Sequence, residues 1–411
     1  MDEDTHVCDA RQSQVGAQQR SSPLLGLIVG QICLHASTAG MRMALPVHAL
    51  ERGYSQVLVG PLIALFSVAP IALAIPAGRL ADRHGYHVPA RIAVALTSLG
   101  ALCAALGSLY PSLLFPLSCL GALLSGGGCN VGLITIQRSA SKSARDVTEL
   151  KQIFSWLGIA PSISHMIGPG SAGFLIDHLG YGAAFSALAL APLASLWVGR
   201  IVPKEPARAQ QTGAKRAAWD LLATPMLRRL LLVNWCMSAS WDVHAFVVPI
   251  FGHEHNLSAS AIGAILSVFA FAVTAVRVVL PSIAHRLGES QVLSGAMLLA
   301  AAAFALYPFA HSFWSMAACA MLLGLALGCS HPMVMTTLHQ ITPESRHGEA
   351  IALRSMTISI SSALMPLAFG AVGAAVGATG LFWSMASLVG SGSWVARGLE
   401  LTQRTALEPA E

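Results

Sequence analysis

Apolar residues come in long runs along this chain, separated by short polar connections. Twelve such stretches lie at approximately 24–48, 56–78, 89–110, 112–136, 152–176, 181–202, 230–252, 259–281, 291–311, 313–338, 350–376 and 380–396. A bilayer core about 30 Å thick takes roughly 20 helical residues to cross, which each stretch can supply. Helix is forced, because an open strand edge leaves backbone N–H and C=O groups without partners in lipid. The pattern therefore predicts an all-α membrane protein. The first stretch is too long for a signal-peptide core and follows a polar tail, so it is expected to be retained.

Charge sets the orientation. With both termini on one face, that face collects Arg11, Arg20, Arg397 and Arg404. It also collects Arg79, Arg83, Arg138, Lys142, Arg145, Lys151, Lys204, Arg208, Lys215, Arg216, Arg228, Arg229, Arg286 and Arg346, whereas the opposite connections hold only Arg52. The positive-inside rule makes the basic face cytoplasmic, so both termini are expected in the cytoplasm of a cell whose inner membrane the protein spans. Arg277 and Arg354 fall about four residues from the basic ends of their stretches and are expected to snorkel outward. The longest polar interruption, 203–229, divides six stretches from six. The expected organisation is a tail (1–23), a six-helix bundle (24–202), a cytoplasmic linker (203–229), a second bundle (230–396) and a tail (397–411).

Composition narrows the classes. The chain has 411 residues, 55% apolar and 10% charged, with a mean hydropathy of +0.64. A soluble protein carries roughly 25% charged residues. A soluble enzyme, a disordered chain and a nucleic-acid binder are excluded, and the net charge of +5 is explained by the basic loops. The eight cysteines show no C-x-x-C pair and seven sit in apolar stretches, so neither a disulfide framework nor zinc is expected. The histidines lack metal spacing, and pairs such as His253/His255 lie in an outer connection. Leu124-Ser125-Gly126-Gly127-Gly128 resembles an ATPase signature, but no phosphate-binding G-x-x-x-x-G-K-[ST] accompanies it. No catalytic residue, cofactor or metal is expected.

The sequence repeats itself. A shift of 203 residues lays Gly53-Tyr54-Ser55 and Gly60 over Asn256-Leu257-Ser258 and Gly263, and 78–85 over 281–288. Near a shift of 197, Pro169, Gly173, Gly180 and Phe185 meet Pro366, Gly370, Gly377 and Phe382. Two related six-helix halves are a transporter architecture, with the substrate site at the midplane between them.

Gly78-Arg79-Leu80-Ala81-Asp82-Arg83-His84-Gly85, after the second stretch and on the basic face, resembles the cytoplasmic signature of the major facilitator superfamily. The six-plus-six arrangement and the degenerate copy at 281–288 extend the resemblance over nearly the whole chain. It implies two pseudo-symmetric six-helix bundles that rock to give alternating access, with Gly78, Asp82, Arg83 and Gly85 as a latch on the cytoplasmic side in the outward-facing state. The glycines permit a tight turn, and Asp82 can satisfy helix N-terminal amides or pair with an Arg; a plain polar turn is the alternative. Gly168-Pro169-Gly170-Ser171-Ala172-Gly173 resembles the motif of the family's drug:proton antiporters. Pro169 interrupts the backbone ladder and the flanking glycines admit a close neighbour, so Gly168, Pro169 and Gly173 are read as a gate or packing seam. The chain departs from the family at the fourth stretch, where the usual proton-relay Arg is missing.

Ionisable residues deep in a span are costly and point to function. Asp242 is the one carboxylate so placed, a little past the midplane, and Asn234, Ser238, Trp241 and Asp242 share one arc of the seventh stretch. A carboxyl that moves between dry and wet surroundings is a candidate proton carrier; a structural hydrogen bond is the other reading. In the first stretch Gln31, His35, Thr38 and Arg42 are spaced 4, 3 and 4 and share a face. His35 suits a substrate or proton role, or an interhelical hydrogen bond, and Arg42 either snorkels or pairs with Asp242 or an anionic substrate. His165 and His331 are weaker candidates, and Asn130 is placed toward the cavity. The expected partners are a small-molecule substrate, protons and lipid, with the chain a monomer. The leading function is proton-driven efflux of a drug-like or amphipathic compound. Proton-symport uptake of a small organic anion is the alternative, and a non-transporting receptor is remote for want of extramembrane domains.

Overall fold

A computed structural model describes residues 3–143, 147–203, 218–283, 288–342 and 347–407. Eleven α-helices follow one another: α1 (Glu3–Glu51), α2 (Gln56–His84), α3 (His87–Leu109), α4 (Leu114–Ser143), α5 (Val147–Val198), α6 (Pro225–Glu254), α7 (Ala259–Ile283), α8 (Glu289–Leu306), α9 (Phe313–Gly328), α10 (Ser330–Ile341) and α11 (His347–Leu407). Ten stretches among the described residues are long and apolar enough to cross a membrane, and the longest is two spans. At 1.5 Å per residue the 52 residues of α5 would reach about 78 Å if straight, more than twice the bilayer core. The chain breaks at Gly180 (φ 81) in α5 and at Gly377 (φ 70) in α11, a backbone region open to glycine. Each long helix is thus two spans with a one-residue turn where the sequence suggests a longer connection. The tenth span is divided into α9 and α10 around Cys329. Twelve spans result, in two pseudo-symmetric bundles.

Other boundaries differ from expectation. α1 starts at Glu3, so the polar tail is a helical extension of the first span, and α6 starts at Pro225, within the expected linker. Residues 204–217 of the linker and 284–287 of the second signature copy lie outside the described residues.

Helix packing follows the rule for lipid, with small residues inside and large ones outside. On α3, Ile92, Leu99, Leu102, Leu106 and Leu109 are exposed on one face, while Ala93, Thr97, Gly100, Ala101 and Ala104 are buried on the other. Buried Ser and Thr hydroxyls are satisfied within their own helices: Thr97, Thr135, Ser240 and Thr337 each donate to the carbonyl four residues back.

The apolar core is continuous on one side of the membrane and divided on the other. One cluster joins Met41–Ala49, Val59–Phe66 and Phe185 of the N-terminal half to α6, α7, α8, α9 and α11. A second, separate cluster holds Leu27, Leu34, Ala77, Tyr86, Ile136 and Leu157, all toward the basic face of the N-terminal half. The halves are therefore joined by apolar packing at the face opposite the basic loops, where both contribute to one cluster.

Candidate functional site

Two seams make the seal, and they are copies of each other. Gly60 of α2 lies against Pro366 and Gly370 in the first limb of α11; a Cβ there would stand 2.6 Å from the Pro366 carbonyl. Gly263 of α7 lies in the same way on the Pro169 carbonyl in the first limb of α5, and Gly173 on the carbonyl of Ala259. Gly168 instead meets Ala36 and Gly40 of α1 within its own half. Polar contacts reinforce both seams. Asp177 accepts from the backbone N–H groups of Ala259 (3.1 Å) and Ser260 (2.8 Å), capping α7 from the other half. Gln56 Nε2 donates to Glu254 at 2.6 Å. Ser267 donates to the Met166 carbonyl at 2.6 Å.

Below the seal, a cavity between the halves is lined by Ala39, Arg42 and Met43 of α1, His165 and Pro169 of α5, Trp241, Asp242, His244 and Ala245 of α6, and Leu266 and Phe269 of α7. Asp242 is its one carboxyl. It is buried at 8% exposure, and Ser362 of α11 donates to both its oxygens, at 3.2 and 3.1 Å. Arg42 lies over the Phe66 ring, 5.7 Å from the centroid, and lines the same cavity as Asp242. Trp241 stands edge-on to His165 (5.5 Å) and to Phe269 (4.7 Å). His244 stacks on Phe269 at 4.2 Å, and its Nε2 shares a 2.9 Å hydrogen bond with the Tyr307 hydroxyl. The result is one negative and one positive group in an aromatic enclosure.

The structure divides the α1 stripe. Arg42 faces the cavity, whereas Thr38 is buried against α4, bonded to Ser125 at 3.0 Å. His35 donates to the Gln31 carbonyl at 3.1 Å and lies beside Cys129 of α4. The Gln31 side chain is buried with its Oε1 unpartnered. On α6 only Trp241 and Asp242 of the expected arc reach this cavity. Ser238 is half-buried, and Asn234 sits deeper toward the basic face, where its Oδ1 accepts from Arg354 Nε at 3.0 Å. Asn130 donates to the Pro70 carbonyl at 3.2 Å and is occupied by α2.

Arg277 and Arg354 correct the snorkelling expectation. Arg354 is buried, and Arg277 Nη1 donates to Ser162 of α5 at 2.7 Å. Both guanidinium groups turn into the protein because polar acceptors on neighbouring helices lie within reach of their long stems.

In the signature turn, Gly85 (φ 65) ends α2 and its N–H bonds the Ala81 carbonyl at 3.0 Å. Gly78 faces open space and Arg83 is exposed; the Asp82 side chain lies outside the described residues. His244, Ser362 and Phe269 escaped the sequence reading. His244, two residues past Asp242 in the same apolar span, carried the same signal of a polar group at depth. Ser362 lies 120 residues from Asp242, and no local pattern marks it. No group of three His, Cys, Asp or Glu able to hold a metal ion occurs among the described residues.

The Major Facilitator Superfamily model matches residues 27–234 and 230–410. No curated protein matches the sequence. Two crystal structures of a POT family transporter share the fold, one in complex with a thioalcohol-conjugated peptide and one with 5-aminolevulinic acid. Each is 12% identical over 94% of this chain and 96% of the other, with a TM-score of 0.73. At that identity the likeness is one of fold.

Proposed function

The chain belongs to the Major Facilitator Superfamily, a multi-pass membrane protein and secondary transporter, and from that premise we propose proton-coupled efflux of a small amphipathic molecule. In this reading the basic face is cytoplasmic and the structure is the inward-facing state, its central cavity reached from the cytoplasm. The observation that carries it is Asp242: the one carboxyl of the cavity, buried at the junction of the halves and held by a hydroxyl from α11. A rocking motion that parts the seams admits outside water to this carboxyl and removes the contacts that surround it, so the same group can load a proton from one side and release it to the other. Trp241 and Phe269 supply apolar, planar surface for the cargo.

Substrate and proton then compete for one enclosure, the requirement for antiport. Arg42 in the cavity lining supports a second reading, uptake of a small organic anion by proton symport, in which Arg42 holds the anion. Both readings give Asp242 the proton.

The test is transport in inside-out and right-side-out vesicles under an imposed pH gradient, with a panel of cationic, neutral and anionic compounds. Asp242→Asn is expected to abolish accumulation against a gradient while leaving downhill exchange partly intact. Gradient-driven accumulation undiminished in Asp242→Asn would remove Asp242 from the coupling path and pass the role to His35. The vesicle orientation that accumulates substrate separates efflux from uptake.

A further inference from the structure

Toward the basic face of the C-terminal half lies a second group of polar side chains that the cavity around Asp242 does not use. Arg277 of α7 and Arg354 of α11 lie close enough to repel each other, and His331 of α10 feels both. Among the described residues their hydrogen-bond partners are neutral, Ser162 for Arg277 and Asn234 for Arg354. No carboxylate of the described residues acts on them. Charges held this deep in a membrane protein mark a pathway or a ligand, since an unpaired buried cation is strongly disfavoured.

The unpartnered atoms of the cluster have one polarity. Asn234 is 4% exposed. Its Oδ1 is fixed by Arg354, which can only donate, so its Nδ2 is a donor, and it has no acceptor. Arg277 Nε is likewise buried without an acceptor. Positive charge and unused N–H groups, with no negative group among the described residues, describe a site for an acceptor-rich anion. His331 of α10 is exposed.

We infer that Asn234, Arg277 and Arg354 form an anion subsite on the cytoplasmic side of the transport path, and that the cargo is an amphipathic organic anion. Its carboxylate, sulfonate or phosphonate sits between the arginines and its planar apolar part reaches Trp241 and Phe269. Asn234 and Trp241 lie on one face of α6, seven residues or about 10 Å apart, which sets the separation of the two ends of the cargo. Asp242 is farther along the same helix, so the anionic end does not meet the proton-carrying carboxyl. The proposal rests on the transport reading above and adds the class of its substrate.

Three fluorescent probes with one apolar body test it: pyrenebutyrate, pyrenebutyramide and pyrenebutyl-trimethylammonium, titrated into the purified full-length protein in detergent with energy transfer from tryptophan as the readout. The carboxylate probe is expected to bind about tenfold or more tighter than the amide, the trimethylammonium probe weakest, because charge-assisted hydrogen bonds replace neutral ones. Arg277→Gln and Arg354→Gln should bring the carboxylate-to-amide ratio to within about twofold of unity. His331→Gln, at an exposed position that leaves the fold unstrained, should lower the ratio by a smaller factor. Equal affinity of carboxylate and amide for the unaltered protein, no binding of the carboxylate probe, or a ratio that survives both arginine substitutions overturns the proposal. Proton coupling is read separately in vesicles, so a failed coupling test with an intact carboxylate preference removes the Asp242 mechanism and leaves the anion subsite standing.

Discussion

In the N-terminal half Gly126 of α4 lies on the carbonyl of Phe66, and in the C-terminal half Gly324 of α9 lies on the carbonyl of Phe269. The two glycine contacts are related by the internal repeat, whereas the neighbours of the two rings come from different positions of it, Arg42 over Phe66 and His244 on Phe269. Gln31 and Asn234, both buried amides, are also equivalent. The ionisable groups break this agreement. Ala39 and Arg42 of α1 correspond to Asp242 and Ala245 of α6, and all four line the cavity. The first half places a cation at the second position of the pair and the second half a carboxylate at the first. Ala74 and Leu157 stand in the N-terminal half where Arg277 and Arg354 stand in the other. Duplication has preserved the backbone contacts, which tolerate no added atom, and left side chains on the cavity free to diverge. A symmetric frame with asymmetric charge suits a carrier, since the motion exploits the first and the chemistry the second.

The largest effects are expected where the shared frame is broken. In α2 Pro70 has no N–H for the Phe66 carbonyl, and Gly126 closes over that carbonyl with no side chain between. Gly126→Val and Gly324→Val each force a branched side chain into backbone. Each should cost about 3 kcal/mol or more, seen as a large fall in Tm and in the yield of monodisperse protein in detergent. A C-terminal substitution markedly milder than its N-terminal counterpart would show that the repeat-related contacts are unequal in weight.

Next come the seams between the halves. Gly60→Leu and Gly263→Leu should leave each bundle folded yet hold the opposite face open, so transport falls by about 100-fold or more while Tm moves little. Cysteine accessibility near the opposite face should rise in both variants. Similar losses from both are expected because Pro366 and Pro169 present their carbonyls alike. Wild-type rates in Gly263→Leu would show that the span 5–8 contact does not gate the cycle.

Most of this frame could be read from the chain, and less of the charge placement could. The turns at Gly180 and Gly377 and the proline–glycine seams were aligned by the repeat, because a residue required by backbone contact keeps its place in both copies. Asp242 stood out as the one deep carboxylate. Arg277 and Arg354 were misjudged because distance from a helix end is the same for a side chain that snorkels and one that turns inward. The choice depends on helix rotation and on acceptors such as Ser162 and Asn234, which lie 115 and 120 residues away. The α1 stripe was legible as a face, but not that α4 would take Thr38 and His35 and leave only Arg42 to the cavity.

Smaller effects come from the two residues that cap the repeated phenylalanines. Arg42→Gln keeps a polar side chain over Phe66 and removes the positive charge that shares the cavity with Asp242. Transport at saturating substrate should drop by about tenfold with Tm nearly unchanged, since no hydrogen bond among the described residues ties Arg42 down and the loss is of a charge interaction across the cavity. A fall in Tm equal to that of a core substitution would make Arg42 a structural residue instead.

The smallest effect belongs to His244, the ring neighbour of Phe269. Its ring is fixed twice, by the face of Phe269 at 4.2 Å and by the Tyr307 hydroxyl at 2.9 Å. Tyr307 is fully buried and stacks on Phe382 at 4.6 Å, so its ring stays in place when the hydroxyl is removed. Tyr307→Phe therefore deletes one hydrogen bond and leaves His244 Nε2 without its partner, at a cost of about 1–2 kcal/mol. That should appear as a lowered Tm in detergent with transport rates within about twofold of wild type. The pair of variants then separates the two halves by readout: charge at Arg42 moves rate and spares stability, and the hydroxyl at Tyr307 moves stability and spares rate. If Tyr307→Phe instead lowers transport as much as Arg42→Gln at unchanged Tm, His244 is part of the transport path, and the C-terminal half then contributes two titratable groups to the cavity where the symmetry argument gives it one.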